Sequence, residues 1–173
     1  MNNSYITIIK EKRTVLSRKR VPLNQNECTA DFRIGVPFEQ NLQLDGYFYL
    51  GYPVLGGIDG KIKVDALLVS EQTGIVLFDL ETLAEENMED KIQLLDELYN
   101  NMEAKLKRYG YLSKRRVLQV PINVLSYAPL YKTKSDEICT SIEEVKEYLE
   151  SLEWKQGEEY YKKLLEAIQM ISQ

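Results

Sequence analysis

The chain has 173 residues, of which 44% are hydrophobic and 28% charged, a balance that suits one globular domain with one core. Its net charge of −5 excludes nucleic-acid binding through the overall field, so any such contact requires a local basic patch. The sequence contains no histidine, which excludes Ser-His-Asp and Cys-His catalysis and the commonest zinc ligand.

The two cysteines and the N-terminus indicate where the protein resides. Cys28 and Cys139 are far apart and fit no zinc-binding spacing, so we interpret them as buried free thiols rather than a disulfide. Residues 1–20 lack the apolar run of a signal peptide, and no stretch approaches the roughly 18 apolar residues of a membrane span. We therefore expect a cytoplasmic protein without a membrane partner.

The first quarter of the chain is the hardest to interpret. Residues 5–9 predict a short strand, and the basic residues between Lys10 and Arg20 are interpreted as a solvated arm, with a nucleic-acid contact as the alternative. Residues 28–43 predict a weak amphipathic helix, because Gly35 and Pro37 interrupt its apolar pattern.

Three strands are predicted next, at 47–55, 61–70 and 74–81. The first is rich in aromatic residues, and the other two become continuously apolar, as central strands do. Short glycine-containing turns separate them, which predicts an antiparallel meander.

The second half alternates helices with one strand. A helix is predicted over 86–109 from an apolar stripe of Met88, Ile92, Leu95, Tyr99, Met102, Leu106 and Tyr109. A strand is predicted at 116–127, with Pro121 marking an edge or a bulge. Thr140 and Glu143 predict a capping box for a helix to about 152, and a last helix is predicted over 158–172. This order predicts an α/β fold with a mixed central sheet flanked by helices.

Three acidic residues stand out as candidate chemistry. Asp65 interrupts an apolar run, and Asp79 and Glu81 are two apart on one strand and therefore share a face. Carboxylates gathered on one face repel one another, and a hard divalent cation such as Mg²⁺ or Mn²⁺ relieves that repulsion. The alternative is structural: strand ends often carry acids, and Asp65 can accept turn hydrogen bonds or pair with Lys61 or Lys63.

Residues 74–81, GIVLFDLE, resemble the motif Gly, four apolar residues, Glu, an apolar residue and Lys found in PD-(D/E)XK nucleases, and particularly in NERD (nuclease-related) domains. Residues 64–69, VDALLV, resemble the preceding strand of that family, which carries a metal-binding Asp. The order of elements over 28–127 resembles the restriction-endonuclease-like αβββαβ core. The wider context resembles the N-terminal region of bacterial UvrD-like superfamily-one helicases, although no G-x-x-x-x-G-K-[ST] loop is present.

The resemblance implies roles for particular residues. Asp65 and Asp79 stand at the positions of metal ligands for Mg²⁺ or Mn²⁺, with Glu39 as a further acid, for which Glu27 and Asp31 compete. Glu81 stands where the family has its catalytic lysine, and Lys63 is the candidate for a migrated replacement. Because a carboxylate cannot supply the missing positive charge, the resemblance implies a degenerate or weakly active deoxyribonuclease.

The same reasoning assigns domains and partners. Residues 1–130 are predicted as the nuclease-related domain, and 131–173 as a helical tail that packs on it or connects to a motor or partner. The implied partners are DNA and a helicase motor, in cis or in trans. A predicted DNA contact comprises Lys105, Arg108, Lys114, Arg115 and Arg116, although these residues also suit a plain solvated surface. The alternative function is a non-catalytic protein-interaction module with a nuclease-like fold.

Overall fold

The structure, a computed structural model, describes residues 5–12, 15–22, 46–55, 61–81, 83–85 and 87–171. The weak helix predicted at 28–43 lies outside these residues. In chain order the strands are β1 (Tyr5–Lys12), β2 (Val15–Pro22), β3 (Gly46–Leu55), β4 (Lys61–Ser70), β5 (Gly74–Leu80), β6 (Ser113–Lys114), β7 (Val117–Leu118), β8 (Ile122–Tyr127) and β9 (Ile138–Cys139). The helices are α1 (Met88–Lys107), α2 (Ile142–Ser151) and α3 (Gly157–Ile171), with a 3-10 turn at Gly110–Leu112.

The described residues form a mixed sheet in the order β2-β1-β3-β4-β5-β8-β9. β3, β4 and β5 pair antiparallel, as the short turns predict, whereas β1 pairs parallel with β3 and β5 pairs parallel with β8. The predicted α/β class with a mixed sheet flanked by helices is therefore confirmed. β2 was not predicted: the basic segment pairs antiparallel with β1 and ends the sheet order among the described strands.

Alternation along the central strands divides the hydrophobic side chains between two cores. Leu67 and Leu77 face one core with α1 and α3, whereas Leu68 and Val76 face the other with α2. Helices therefore cover both faces of the sheet. Both helices of the predicted tail contribute buried side chains to these cores, among them Leu149 of α2 and Leu164 of α3.

The predicted stripe on α1 is partly wrong. The buried residues are Lys91, Leu95, Leu98, Met102 and Leu106. Ile92 and Tyr99, both assigned to the stripe, are exposed. The helix is rotated towards Lys91 and Leu98, because a lysine can bury its aliphatic stem when its ammonium finds counter-charges.

The single strand predicted at 116–127 is also wrong, because the chain turns twice there. β6 and β7 form a hairpin with a two-residue turn. The turn residues, Arg115 and Arg116, have φ of 51° and 68°. β8 starts after Pro121, which has no N–H to donate but accepts a 3.0 Å hydrogen bond from the Ile75 N–H through its carbonyl oxygen. The sequence indicated the break at Pro121 but not the turn at Arg115 and Arg116.

The cap of α2 differs by one residue from the predicted capping box. Ser141, not Thr140, is the N-cap, and its hydroxyl accepts from the Glu144 N–H at 3.2 Å. Glu144 accepts in turn from the Thr140 N–H at 2.8 Å. We expect Ser141→Ala to lower the free energy of unfolding by about 1 kcal/mol, because the Glu144 N–H loses its acceptor. Urea denaturation measures this, and an unchanged midpoint would show that the cap contributes nothing.

Cys139 is buried and free, as the sequence predicts, and burial raises the pKa of its thiol to about 11. Cys28 lies outside the described residues. Among the helices of the described ranges, none is both long and apolar enough to cross a membrane.

Candidate functional site

The alternation of side chains along β5 directs Asp79 towards helix α1. Ile75 and Leu77 face the core beneath α1, so Asp79 faces the same way at the end of β5. On α1, Lys91 lies one turn before the buried Leu95 and therefore points back at the sheet. Sheet and helix periodicity together bring this carboxylate and this ammonium to one place.

Lys91 bridges two of the acids that the sequence singles out. Its Nζ donates to Asp79 Oδ2 at 2.7 Å and to Glu81 Oε2 at 2.8 Å. The Ser126 hydroxyl, on the neighbouring strand β8, donates to the same Asp79 oxygen at 2.8 Å. The three charged side chains, called here the ion triad, have a net charge of −1 and are mostly shielded from solvent, with Lys91 only 7% exposed.

Two opposing influences act on the Lys91 ammonium. Burial lowers its pKa, but the hydrogen bonds and charges of Asp79 and Glu81 outweigh burial, so the pKa is raised above its usual value. Lys91 is therefore protonated at neutral pH and is not a nucleophile or a general base. The ring of Tyr131 adds a further favourable contact, with its centroid 5.9 Å from Nζ.

A cleft of about 200 Å³ opens beside the ion triad. Its lining comprises Glu81, Leu83, Ala84, Asn87, Asp90, Lys91, Leu94 and Tyr131. Glu85 holds the loop before α1 in place beside the cleft. Its carboxylate accepts hydrogen bonds from the N–H groups of Lys132 and Thr133 and from the Thr133 hydroxyl. The acids around the cleft outnumber its lysine, so an approaching anion meets a negative field.

Asp65 makes a different contact from the one predicted. It is exposed, and its Oδ2 accepts a 2.9 Å hydrogen bond from the backbone N–H of Leu80, between Asp79 and Glu81. The β4–β5 register ends at Ala66↔Phe78, so the carboxylate continues the strand pairing one residue beyond the ladder. This hydrogen bond is a structural role, similar to the alternative considered from the sequence.

The side chains present do not fit a metal ion as they are arranged. Within the described ranges, no group of three or more Asp, Glu, Cys or His side chains is placed to hold one. The Lys91 ammonium already contacts one oxygen of Asp79 and one of Glu81. Glu39 and the side chain of Lys63 lie outside the described part of the chain, as do Glu27 and Asp31. Mg²⁺ or Mn²⁺ binding therefore stays a prediction.

The predicted nucleic-acid residues lie far from the acids. β5 and β8 run parallel, with Ile75 opposite Ile122 and Asp79 opposite Ser126. The basic hairpin precedes β8 and therefore lies at the opposite end of the sheet from Asp79. Along α1, Lys105 is about 21 Å from Lys91. A nucleic acid would have to span that length to reach both places.

Sequence reasoning missed Lys91, Ser126 and Tyr131. Lys91 had a detectable signal, because it continues the spacing of Leu95, Leu98 and Met102 by one turn and follows two acids by about ten residues. A lysine on an apolar stripe requires a counter-charge. Ser126 and Tyr131 had no comparable signal, because their roles depend on the pairing of β5 with β8 and on the loop that follows.

No family model, no curated protein and no solved structure matches this chain in comparisons with known proteins. The function is therefore inferred from the fold and from the geometry of the site.

Proposed function

We propose that this chain is a nuclease-related, PD-(D/E)XK-like domain whose catalytic centre has become an ion triad, in which a lysine occupies both carboxylates, so that it processes DNA weakly or not at all by itself. The observation that carries the proposal is the placement of the Lys91 ammonium 2.7 Å from Asp79 and 2.8 Å from Glu81. Asp79 and Glu81 are the two charged residues of the motif-like segment, residues 74–81.

The arrangement of elements around the triad supports this assignment. An antiparallel meander, a helix and a strand parallel to β5 follow one another as a nuclease-like core requires, and the acids lie at the end of the last meander strand. Lys91 brings from the helix the positive charge that position 81 lacks. Because both carboxylates hold that ammonium, it is committed to them and is poorly placed to stabilise a phosphate.

The partner follows from the resemblance: a helicase motor, in cis or in trans, with DNA as the shared substrate. The second candidate function, a non-catalytic protein-interaction module, is favoured by apolar side chains around the cleft. Leu83 is 65% exposed and Leu94 is 37% exposed. A partner that covered these two leucines would bury apolar surface without using the triad chemically.

The decisive experiment exposes the acids by removing the lysine. We expect 10 mM Mn²⁺ to shift the melting temperature of the native protein by less than about 1 °C, because the ammonium already occupies one oxygen of Asp79 and one of Glu81. In Lys91→Met the shift should rise to several degrees, since binding to the folded state stabilises it. Adding Asp79→Asn and Glu81→Gln to that variant should abolish the shift. The measurement is thermal unfolding with and without metal.

Cleavage of single-stranded and duplex DNA in Mg²⁺ or Mn²⁺ completes the test, beside an Asp65→Ala, Asp79→Ala variant. Rapid cleavage by the native protein that the variant loses would contradict a degenerate centre. A Lys91→Met protein that stays folded and shows no metal-dependent shift would contradict the nuclease-related assignment itself.

A further inference from the structure

The hairpin of β6 and β7 combines charge with an unfavourable backbone. Its register, Ser113↔Leu118 and Lys114↔Val117, leaves Arg115 and Arg116 as the two turn residues. Both have positive φ, the conformation of a two-residue turn that favours Asn-Gly. Side chains with a Cβ adopt it at a cost in free energy. Stability of the turn therefore does not account for two arginines at these positions.

The base of the hairpin is held firmly. Leu112, immediately before β6, is fully buried in the core with α1 and α3. Gln119, immediately after β7, donates its N–H to the Leu112 carbonyl at 2.9 Å and accepts from the Trp154 indole N–H at 2.8 Å. The two arginines are consequently presented on a rigid support, which limits the entropy lost when a ligand binds them.

The hairpin tip carries exposed positive charge. Lys114, Arg115 and Arg116 are exposed, and no described carboxylate forms an ion pair with them. At the nearby end of α1, partial burial and the positive charge of Arg108 lower the pKa of Lys105. Basic residues therefore gather at this end of the domain, although the whole chain has a net charge of −5. The Glu166 carboxylate is also near, since the pKa of Tyr111 is raised by burial first, then by Tyr109 and then by Glu166.

An exposed aromatic ring accompanies these charges. Tyr111 is 42% exposed and lies against the ring of Tyr109, with 5.8 Å between the ring centroids. Guanidinium groups bind phosphates, whereas a tyrosine ring offers a face to an unpaired base. An acidic peptide would use the charges and leave the ring without a partner, and a duplex would keep its bases stacked.

We propose that the hairpin tip with Arg115 and Arg116, together with Tyr111 of the preceding 3-10 turn, is a binding site for single-stranded nucleic acid, separate from the ion triad. The arginines bind two phosphates, and Tyr111 stacks on a base between or beside them. The site depends on the hairpin and on the 3-10 turn before it, so it does not require metal binding or cleavage at the other end of the sheet.

The test replaces the two arginines with the residues that the turn favours. In Arg115→Asn, Arg116→Gly the melting temperature should rise by about 2–4 °C, because the strained turn is relieved. Affinity for a fluorescent 20-nucleotide oligo-dT, measured by anisotropy in EDTA, should fall about 10- to 100-fold at low salt. The slope of log affinity against log salt should decrease by about 1.4, corresponding to two lost phosphate contacts on a single strand.

A matched control removes two positive charges elsewhere. Lys132→Gln, Lys134→Gln should leave both the affinity and the salt slope nearly unchanged. Tyr111→Leu should weaken oligo-dT binding about fivefold or more, whereas Tyr99→Leu, which alters another exposed tyrosine, should not.

Several outcomes would overturn the proposal. One is an oligo-dT affinity that is absent in the native protein or unaffected by the Asn-Gly replacement. Another is an equal loss of affinity in the Lys132, Lys134 control, which would show a response to net charge alone. Tighter binding of a 20-base-pair duplex, or of poly-glutamate, would assign the hairpin to a different ligand. Because EDTA removes divalent cations, failure here leaves the metal and cleavage results at the triad to be judged separately.

Discussion

Lys91→Met is expected to lower the free energy of unfolding by about 3–5 kcal/mol at pH 7, because it leaves two shielded carboxylates without their counter-charge. Methionine keeps most of the aliphatic stem, so the loss reports the charge rather than a cavity. The corresponding fall in melting temperature is about 6–20 °C for a domain of this size. Calorimetry and urea denaturation measure the two quantities independently.

Lys107→Met provides the matched control. Lys107 lies on the same helix and pairs with Glu103 at 3.0 Å, but its side chain is half exposed, and such pairs contribute roughly 0.3–0.5 kcal/mol. The neutral triple variant Lys91→Met, Asp79→Asn, Glu81→Gln should recover much of the lost stability, since a neutral set no longer buries unpaired charge. If Lys91→Met were as mild as Lys107→Met, the ion triad would contribute little to the fold.

Asp79→Asn, Glu81→Gln should reverse the pH dependence of stability in alkaline solution. In the native protein the Lys91 pKa is raised, so the triad stabilises fully below the unfolded value of about 10.4, and this contribution is lost as the pH rises through the folded pKa. In the variant, burial acts without the opposing carboxylates and lowers the Lys91 pKa. Its folded state then gains stability as the pH rises towards 10.4, because the buried lysine becomes neutral.

At neutral pH the Asp79→Asn, Glu81→Gln variant should lose about 3–5 kcal/mol of unfolding free energy, because it buries an ammonium without counter-charges. Urea midpoints in EDTA between pH 7 and 11 measure the two slopes, and Lys91→Met supplies the baseline without this titration. Parallel pH profiles for the native protein and the Asp79→Asn, Glu81→Gln variant would contradict the raised Lys91 pKa on which the prediction depends.

The sequence identified the two acids of the ion triad but not its lysine. Asp79 and Glu81 were predicted to share one side because side chains alternate along a strand, and both contact Lys91, although β5 ends at Leu80. Lys91 was not predicted, because the apolar stripe of α1 was assigned with Ile92 in its place. A one-residue shift rotates a helix face by about 100°, and several apolar residues on α1 made both rotations plausible.

The antiparallel meander and the mixed α/β class followed from the sequence alone, since they depend on local periodicity and on short turns. The residues predicted to contact nucleic acid were likewise grouped by their proximity in the sequence. Tertiary structure decided what these residues do: the parallel pairing of β5 with β8 brings Ser126 to Asp79, and the packing of α1 brings Lys91 between the two acids. It also places Arg115 and Arg116 at the far end of the sheet, on a strained turn that the apolar pattern concealed. Such contacts join residues distant in sequence, and long-range packing and pairing, rather than local propensity, determine them.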